Sequence, residues 1–208
     1  MSGNNYKVGI IGAGAIVETA HLPVLKVLDK TEVVWVYDRN EDRSGLISRM
    51  FEVPVIKEEK LAASIAAIDI CLLSIPYGAR AAYFQICAEN EIAVYAEKPF
   101  ATSTDEHKKL CSMFSLHKLA VGFQRRTYSI VHLLKHLIRD EIFGKLEEII
   151  FIEGYFNLKS GKEYLSNSSL SGGGVIIESA IHALDQILQI TEADNVVLNS
   201  VKSLRLNG

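Results

Sequence analysis

Gly12-Ala13-Gly14-Ala15-Ile16-Val17 follows an apolar run and opens a helical pattern. A turn of this kind suits the phosphates of a dinucleotide. The first glycine permits a tight turn, and the second lets the backbone approach a pyrophosphate. The amides of Ala15 and Ile16 then open the helix against it. Asp38 ends the next apolar run, 24 residues after Gly14. A carboxylate there accepts from a ribose 2′-hydroxyl and repels a 2′-phosphate, which favours NAD. Arg39, next to it, keeps NADP open. A Gly-x-Gly alone is weak evidence, and a nucleotide-free turn beside an ordinary strand-terminal Asp has the same residues. Far along the chain, Glu178, His182 and Asp185 follow each other at four and three residues and share one helix face. That spacing suits proton chemistry, a Glu-x-x-x-His metal site with Asp185 as third ligand, or a histidine packed within a helix.

These candidates need a scaffold. Lys7–Ile11, Val33–Tyr37, Asp69–Ser74 and Ile92–Ala96 are short, rich in β-branched residues and apolar through their length, as strands buried on both faces are. Val53–Ile56 is a weaker strand, and Ala120–Phe123 closes the unit. Between them Ala15–Leu28, Asp42–Phe51, Ala79–Glu89 and Asp105–Ser115 read as helices. Strand and helix in alternation give a parallel sheet covered on both faces, with the glycine turn in its first connection. After Gly122 the pattern changes. Tyr128–Arg139 is helical, with Ile130, Val131, Leu133, Leu134, Leu137 and Ile138 on its apolar side. Lys145–Leu158 and Val196–Leu206 read as long strands, Ser160–Gly174 as a polar loop and Val175–Ile190 as a helix. The expected fold class is α/β: a doubly wound parallel sheet over 1–122, then a partial α+β domain with an open sheet over 123–208. Two strands fall short of the three that a stable sheet needs. The second region therefore leans on the first, pairs with another chain or lacks a C-terminal part.

The chain has 208 residues, 49% hydrophobic and 23% charged, with a net charge of −3. That is a globular composition, and it excludes a basic nucleic-acid binder by bulk charge. No apolar run nears the roughly 20 residues that span a bilayer. The polar start, Met1 to Asn5, does not read as a secretory signal, so a cytoplasmic location is expected. Cys71, Cys87 and Cys111 are odd in number and widely spaced, which reads as reduced, mostly buried thiols.

Further segments fall in order along the chain: His21-Leu22-Pro23, Ser74-Ile75-Pro76, Glu97-Lys98-Pro99, Gly122-Phe123-Gln124-Arg125-Arg126, and Gly172-Gly173-Gly174 leading to Glu178, His182 and Asp185. From Val8 to Asp185 the set resembles the Gfo/Idh/MocA family. The resemblance implies an NAD(P)-dependent oxidoreductase acting on a sugar, cyclitol or related polyol. It implies a Rossmann domain over 1–122 and a substrate and oligomerisation domain over 123–208, whose open sheet often joins subunits. Members' second domains are usually longer, so the chain looks shortened. It also implies cofactor contacts from Ser74, Pro76, Tyr77, Glu97, Lys98 and Gln124. Val17, Arg80, Glu178 and Ala180 depart from the family's usual small residue, His, Asp and Gly.

Oxidising an alcohol requires a hydride acceptor and a group that takes the hydroxyl proton. The family's matching lysine and histidine make Lys98 and His182 the proton-transfer pair. Glu178 assists or touches the same hydroxyl, with its additional methylene displacing the carboxylate. Arg126 shapes the substrate side or is a surface salt-bridge partner. No metal is expected. Two other readings use the same residues: a shortened, non-catalytic nucleotide-binding relative, and a transient-oxidation enzyme such as an epimerase or an NAD-dependent glycoside-cleaving enzyme.

Overall fold

A computed structural model describes residues 5–153, 176–200 and 202. The chain divides into two compact units. Among the described residues the first holds 5–123 and 176–179, and the second holds 124–153, 180–200 and 202.

The first unit is a five-stranded parallel sheet: β1 (Tyr6–Ile11), β2 (Thr31–Tyr37), β3 (Ile70–Leu73), β4 (Ala93–Ala96) and β5 (Leu119–Val121), in the order β2-β1-β3-β4-β5. Successive residues of a strand point to opposite faces, and here both faces are covered. Ile11, Cys71 and Leu73 join one core cluster with Trp35, Phe84 and Phe100. Val8, Ile10 and Leu72 join the other, with Val17, Leu22, Val36 and Ile47. This is why the strands read as unbroken apolar runs. Each fully buried Ile or Leu adds about 1.5–3 kcal/mol.

Val53–Ile56 adds a single parallel bridge, Val36 to Val55, beside β2. The Val36 amide donates to the Pro54 carbonyl at 2.9 Å, and the Ile56 amide to the Val36 carbonyl at 3.2 Å. Pro54 has no amide to offer, which confines the segment to the edge. Counted as a strand, it gives the Rossmann order 3-2-1-4-5-6. The β1–β2 ladder carries one irregularity. Val8 lies opposite Val33, but Gly9 lies opposite Trp35, so Val34 is an extra residue. The Trp35 indole crosses Gly9 so closely that a Cβ there would sit 2.2 Å from it.

The connecting helices are α1 (Leu22–Leu25), α2 (Glu41–Phe51), α3 (Leu61–Ile65), α4 (Ala81–Glu89) and α5 (Thr104–Ser112). The helix expected from Ala15 begins there, widens into a π-helical turn over Val17–His21 and is α-helical again from Leu22. Pro23 lacks the amide that would continue a regular helix, and the wider turn precedes it. Asn40 and Ser103 cap α2 and α5 by accepting from the amides of Arg43 and Glu106.

The second unit contains α6 (Ser129–Arg139) and α7 (Ile181–Thr191), which pack together. Lys135 pairs with Glu192 at 2.6 Å across them. Of the apolar side expected on α6, Val131 is buried while Ile130 and Leu133 are about half exposed. The two long strands expected in this region are not formed among residues 145–153 and 196–200. The single bridge there joins Ile142 and Gly144. A strand takes shape only against a partner, and Ile150, Ile152 and Val196–Leu198 stay exposed. The rest of both segments, residues 154–158, 201 and 203–206, lies outside the described residues, as do the 160–174 loop and its glycine run. No helix among the described residues is long and apolar enough to cross a membrane.

Candidate functional site

The residues that follow the strands line up along the carboxyl edge of the sheet, because the ladder continues one step past each strand. The Gly12 amide donates to the Tyr37 carbonyl at 2.7 Å, Ser74 to Ile11 at 2.8 Å, Glu97 to Leu73 at 3.0 Å and Gly122 to Ala96 at 2.9 Å. Gly12, Asp38, Ser74, Glu97 and Gly122 therefore form one row, at the edge where open α/β sheets hold ligands.

The two glycines of the turn differ. Gly12 has φ +105°, and a Cβ there would lie 2.3 Å from the Ser74 carbonyl oxygen. Only glycine fits. Gly14 has nothing within 4 Å of a Cβ position, so its face is open. The Asp38 carboxylate accepts from the Ala13 amide at 2.7 Å and from the Asn40 amide at 2.8 Å. It fixes the turn and keeps lone pairs for further donors. Arg39 lies beside the Tyr37 hydroxyl. Ser74 Oγ is buried with no hydrogen-bond partner among the described residues. An open glycine face, a carboxylate at the end of β2 and a buried hydroxyl at the end of β3 fit a dinucleotide cofactor. Val17, the last residue of the turn motif, is fully buried in the core.

Beyond β3, Tyr77 donates to the Glu106 carboxylate of α5, and its hydroxyl lies 3.1 Å from Thr102 Oγ1. The Thr102 amide donates to Glu106 at 2.9 Å. Burial alone would raise the Glu106 carboxyl. Hydrogen bonds from Tyr77 and Thr102 outweigh it and hold the group below the ordinary carboxylate range. Burial, and then the bond to Glu106, push the Tyr77 phenol up.

Lys98 is half-buried, and the backbone around it is held from below. Arg80, 3% exposed, donates Nε to the Ile75 carbonyl at 2.8 Å and Nη1 to the Pro99 carbonyl at 2.7 Å. Nη1 also donates to the Glu97 carbonyl. One guanidinium thus ties the end of β3 to the residues on both sides of Lys98. The Glu97 carboxylate faces His21 Nε2 at 2.8 Å, and the Tyr95 ring meets His21 edge-on at 5.6 Å. Gly122 leaves room for this group, since a Cβ there would lie 2.9 Å from the Tyr95 hydroxyl and 3.0 Å from Glu97 Oε1.

In the second unit Gln124 opens a 3-10 turn, Gln124–Thr127. Arg126, from the same turn, holds Asp185 of α7 with Nε at 2.9 and 3.0 Å from its two oxygens. Arg126 thus pairs with a buried carboxylate. Asp185 is 8% exposed and His182 is 5% exposed, both on α7. Arg125 donates to Gln186 at 3.2 Å and to Glu153, and holds the Glu153 carboxyl below its ordinary value. Glu178 lies in the π-helical turn Ile176–Ala180, and its side chain is outside the described residues. Among the described residues no three His, Cys, Asp or Glu side chains are grouped to hold a metal.

His21, Arg80, Arg125 and the Tyr77–Glu106 bond receive no role from the sequence. Arg80 reaches Glu97 and Pro99, 17 and 19 residues away, as well as Ile75, and His21 reaches Glu97, 76 residues away; no local pattern encodes the distant pairs.

Comparison with known proteins extends this geometry. Residues 6–124 match the Gfo/Idh/MocA oxidoreductase family, described by its NAD-binding Rossmann fold. A dTDP-3,4-didehydro-2,6-dideoxy-alpha-D-glucose 3-reductase of Saccharopolyspora spinosa is 22% identical over 181 residues, 85% of this chain and 53% of that protein. The aldose-aldose oxidoreductase of Caulobacter crescentus, solved with glycerol, superposes with TM-score 0.79 at 17% identity, over 91% of this chain and 58% of that one. A 3-ketoreductase of Actinomadura kijaniata, solved with TDP-benzene and NADP, superposes with TM-score 0.67 at 20% identity, over 83% and 53%. The two structures share the fold. The chain spans about half the length of the curated relatives it matches. With more than half of its own length matched, the chain belongs to the Gfo/Idh/MocA oxidoreductase family and carries that family's NAD-binding Rossmann fold.

Proposed function

We propose that this chain transfers a hydride between a nicotinamide cofactor and a sugar, cyclitol or related polyol. The observation that supports it is the row at the carboxyl edge, with an open face at Gly14 and Lys98 clamped beside Glu97. In this reading Gly12, Gly14, Ala15 and Ile16 cradle the pyrophosphate. Asp38 and Arg39 meet the ribose. Ser74, Pro76, Tyr77, Glu97 and Gln124 serve the nicotinamide end. When bound, the nicotinamide ring supplies the hydride chemistry. Lys98 and His182 hold and move the proton of the substrate hydroxyl, and Glu178 contacts the same hydroxyl. Residues 123–208 supply the substrate side and a face for a second copy of the chain.

The test begins with thermal shift in NADH and in NADPH, followed by a screen of sugars and cyclitols. Lys98→Ala and His182→Ala are each expected to lose at least about a hundredfold in turnover, the usual scale of general acid–base catalysis, with NADH affinity largely kept. A variant that keeps wild-type turnover removes that residue from the reaction. Cofactor binding without turnover of any substrate favours the non-catalytic relative. Turnover without net NADH favours transient oxidation.

A further inference from the structure

Arg43, on the first turn of α2, reaches back to the glycine turn. Its Nε and Nη2 donate to the Ala13 carbonyl at 3.0 and 2.8 Å. Nη2 also donates to Glu18 Oε2 at 2.8 Å. Ala13 is held on its other side by Asp38, which accepts from its amide. A cation and an anion thus flank one residue of the turn, and the cation is covered by a second carboxylate. Both side chains of the Arg43–Glu18 pair keep about a third of their surface exposed, so a ligand can compete for them. Arg39, the cation nearest Asp38 in sequence, lies beside the Tyr37 hydroxyl.

We infer that Glu18 sets the cofactor choice of this chain by occupying Arg43. A 2′-phosphate carries close to two negative charges and requires cationic donors in a fixed geometry, which a guanidinium supplies well. With Glu18 ionised, the charges around the turn are two carboxylates, Glu18 and Asp38, against two guanidiniums, and Arg43 is neutralised where it stands. Asp38 then repels the phosphate with Arg39, beside the Tyr37 hydroxyl, as the remaining cation of the pair to answer it. An uncharged side chain at 18 leaves Arg43 anchored to Ala13 but electrostatically available, and the ribose end of the site becomes net positive. The inference rests on the proposed reading of Asp38 as the ribose contact.

The experiment measures dissociation constants of NADH and NADPH on the full chain, with ADP and 2′,5′-ADP as probes of the ribose end alone. Glu18→Gln keeps the size of the side chain and the Arg43–Ala13 bonds. It is expected to tighten NADPH and 2′,5′-ADP by about tenfold, leave NADH and ADP within about threefold, and lose the gain when Arg43→Ala is added. Equal tightening of both cofactors, no tightening, or a gain that survives Arg43→Ala overturns the inference. Asp38→Ala separates this failure from that of the underlying reading. If Asp38→Ala shifts the NADH-to-NADPH ratio and Glu18→Gln does not, only the role of Glu18 falls. If neither shifts it, or the chain binds no dinucleotide, both fall.

Discussion

Arg80→Met tests the clamp beneath Lys98. Methionine keeps much of the volume and removes the guanidinium. The carbonyls of Ile75, Glu97 and Pro99 then lose a donor that is 3% exposed. An unsatisfied buried acceptor costs about 1–3 kcal/mol, and three of them would cost up to about 9 kcal/mol. Two effects oppose this. Burying the cation itself costs several kcal/mol, and that cost disappears. Water also reaches some of the freed carbonyls. The expected net loss is about 2–4 kcal/mol, within the range for broken buried polar networks. Trp35 is the single tryptophan of the chain. It sits 5% exposed in the same core cluster as Phe84 of α4, so its fluorescence follows unfolding of this unit. In urea, with a slope of about 2 kcal/mol/M, the midpoint should fall by about 1–2 M. A midpoint unchanged within about 0.3 M would refute the argument that these three bonds stabilise the loop around Lys98.

The two glycines of the turn should separate folding from binding. Gly12→Ala places a Cβ 2.3 Å from a carbonyl at φ +105°, and thermal melting should show a loss of several degrees. Gly14→Ala meets open space, so the melting temperature should hold while NADH affinity, read by titration, falls about tenfold or more. Asp38→Ala removes the acceptor of two turn amides and the charge that opposes a 2′-phosphate. The gap between NADH and NADPH affinities should narrow, and an unchanged gap would exclude Asp38 as the ribose contact. For Glu106, the folded carboxyl titrates below its unfolded value. Its contribution is therefore fully present above the unfolded value of about 4.3 and is lost as pH falls through the folded one. The group is largely exposed to solvent screening, so the effect stays below about 1 kcal/mol. The stability difference between wild type and Glu106→Gln in urea should be larger at pH 7 than near pH 3. A difference that grows on acidification would contradict the assignment.

The strands of the first unit were legible because burial on both faces leaves no polar positions. Ile10 and Ile11, adjacent in sequence, feed opposite clusters. The places of the glycine turn after β1 and of Asp38 after β2 were legible because residue type at short spacing marks both. Four features escaped. α3 is five residues long, too short for a helical period to register. Pro54 reduced an expected strand to one bridge. The first helix widens into a π-helical turn over Val17–His21, just before Pro23. The two long strands expected in the second region are not formed among residues 145–153 and 196–200, since an apolar run does not by itself supply a partner to pair with. The contacts of His21, Arg80 and Arg43 were illegible for a related reason. Each joins strand ends or loops that become neighbours only when the sheet forms. The spacing of Glu178, His182 and Asp185 was visible, whereas the bond from Arg126 to Asp185 joins positions 59 residues apart.

The extra residue in β2 has a consequence for sequence change in this family member. Val34 is unmatched in β1, so β2 takes five steps from Val33 to Asp38 where β1 takes four from Val8 to Gly12. Losing one residue between Val33 and Tyr37 would remove the bulge and leave a regular ladder. Val33 would stay opposite Val8, and the carboxylate would stay level with Gly12. Length changes near residues 66–68 or 115–118, at the other edge, leave this alignment untouched. A one-residue deletion in β2 should therefore be tolerated where a deletion within the regular ladders of β3 or β4 would shift their register, so the site withstands length change better along β2 than along its other strands.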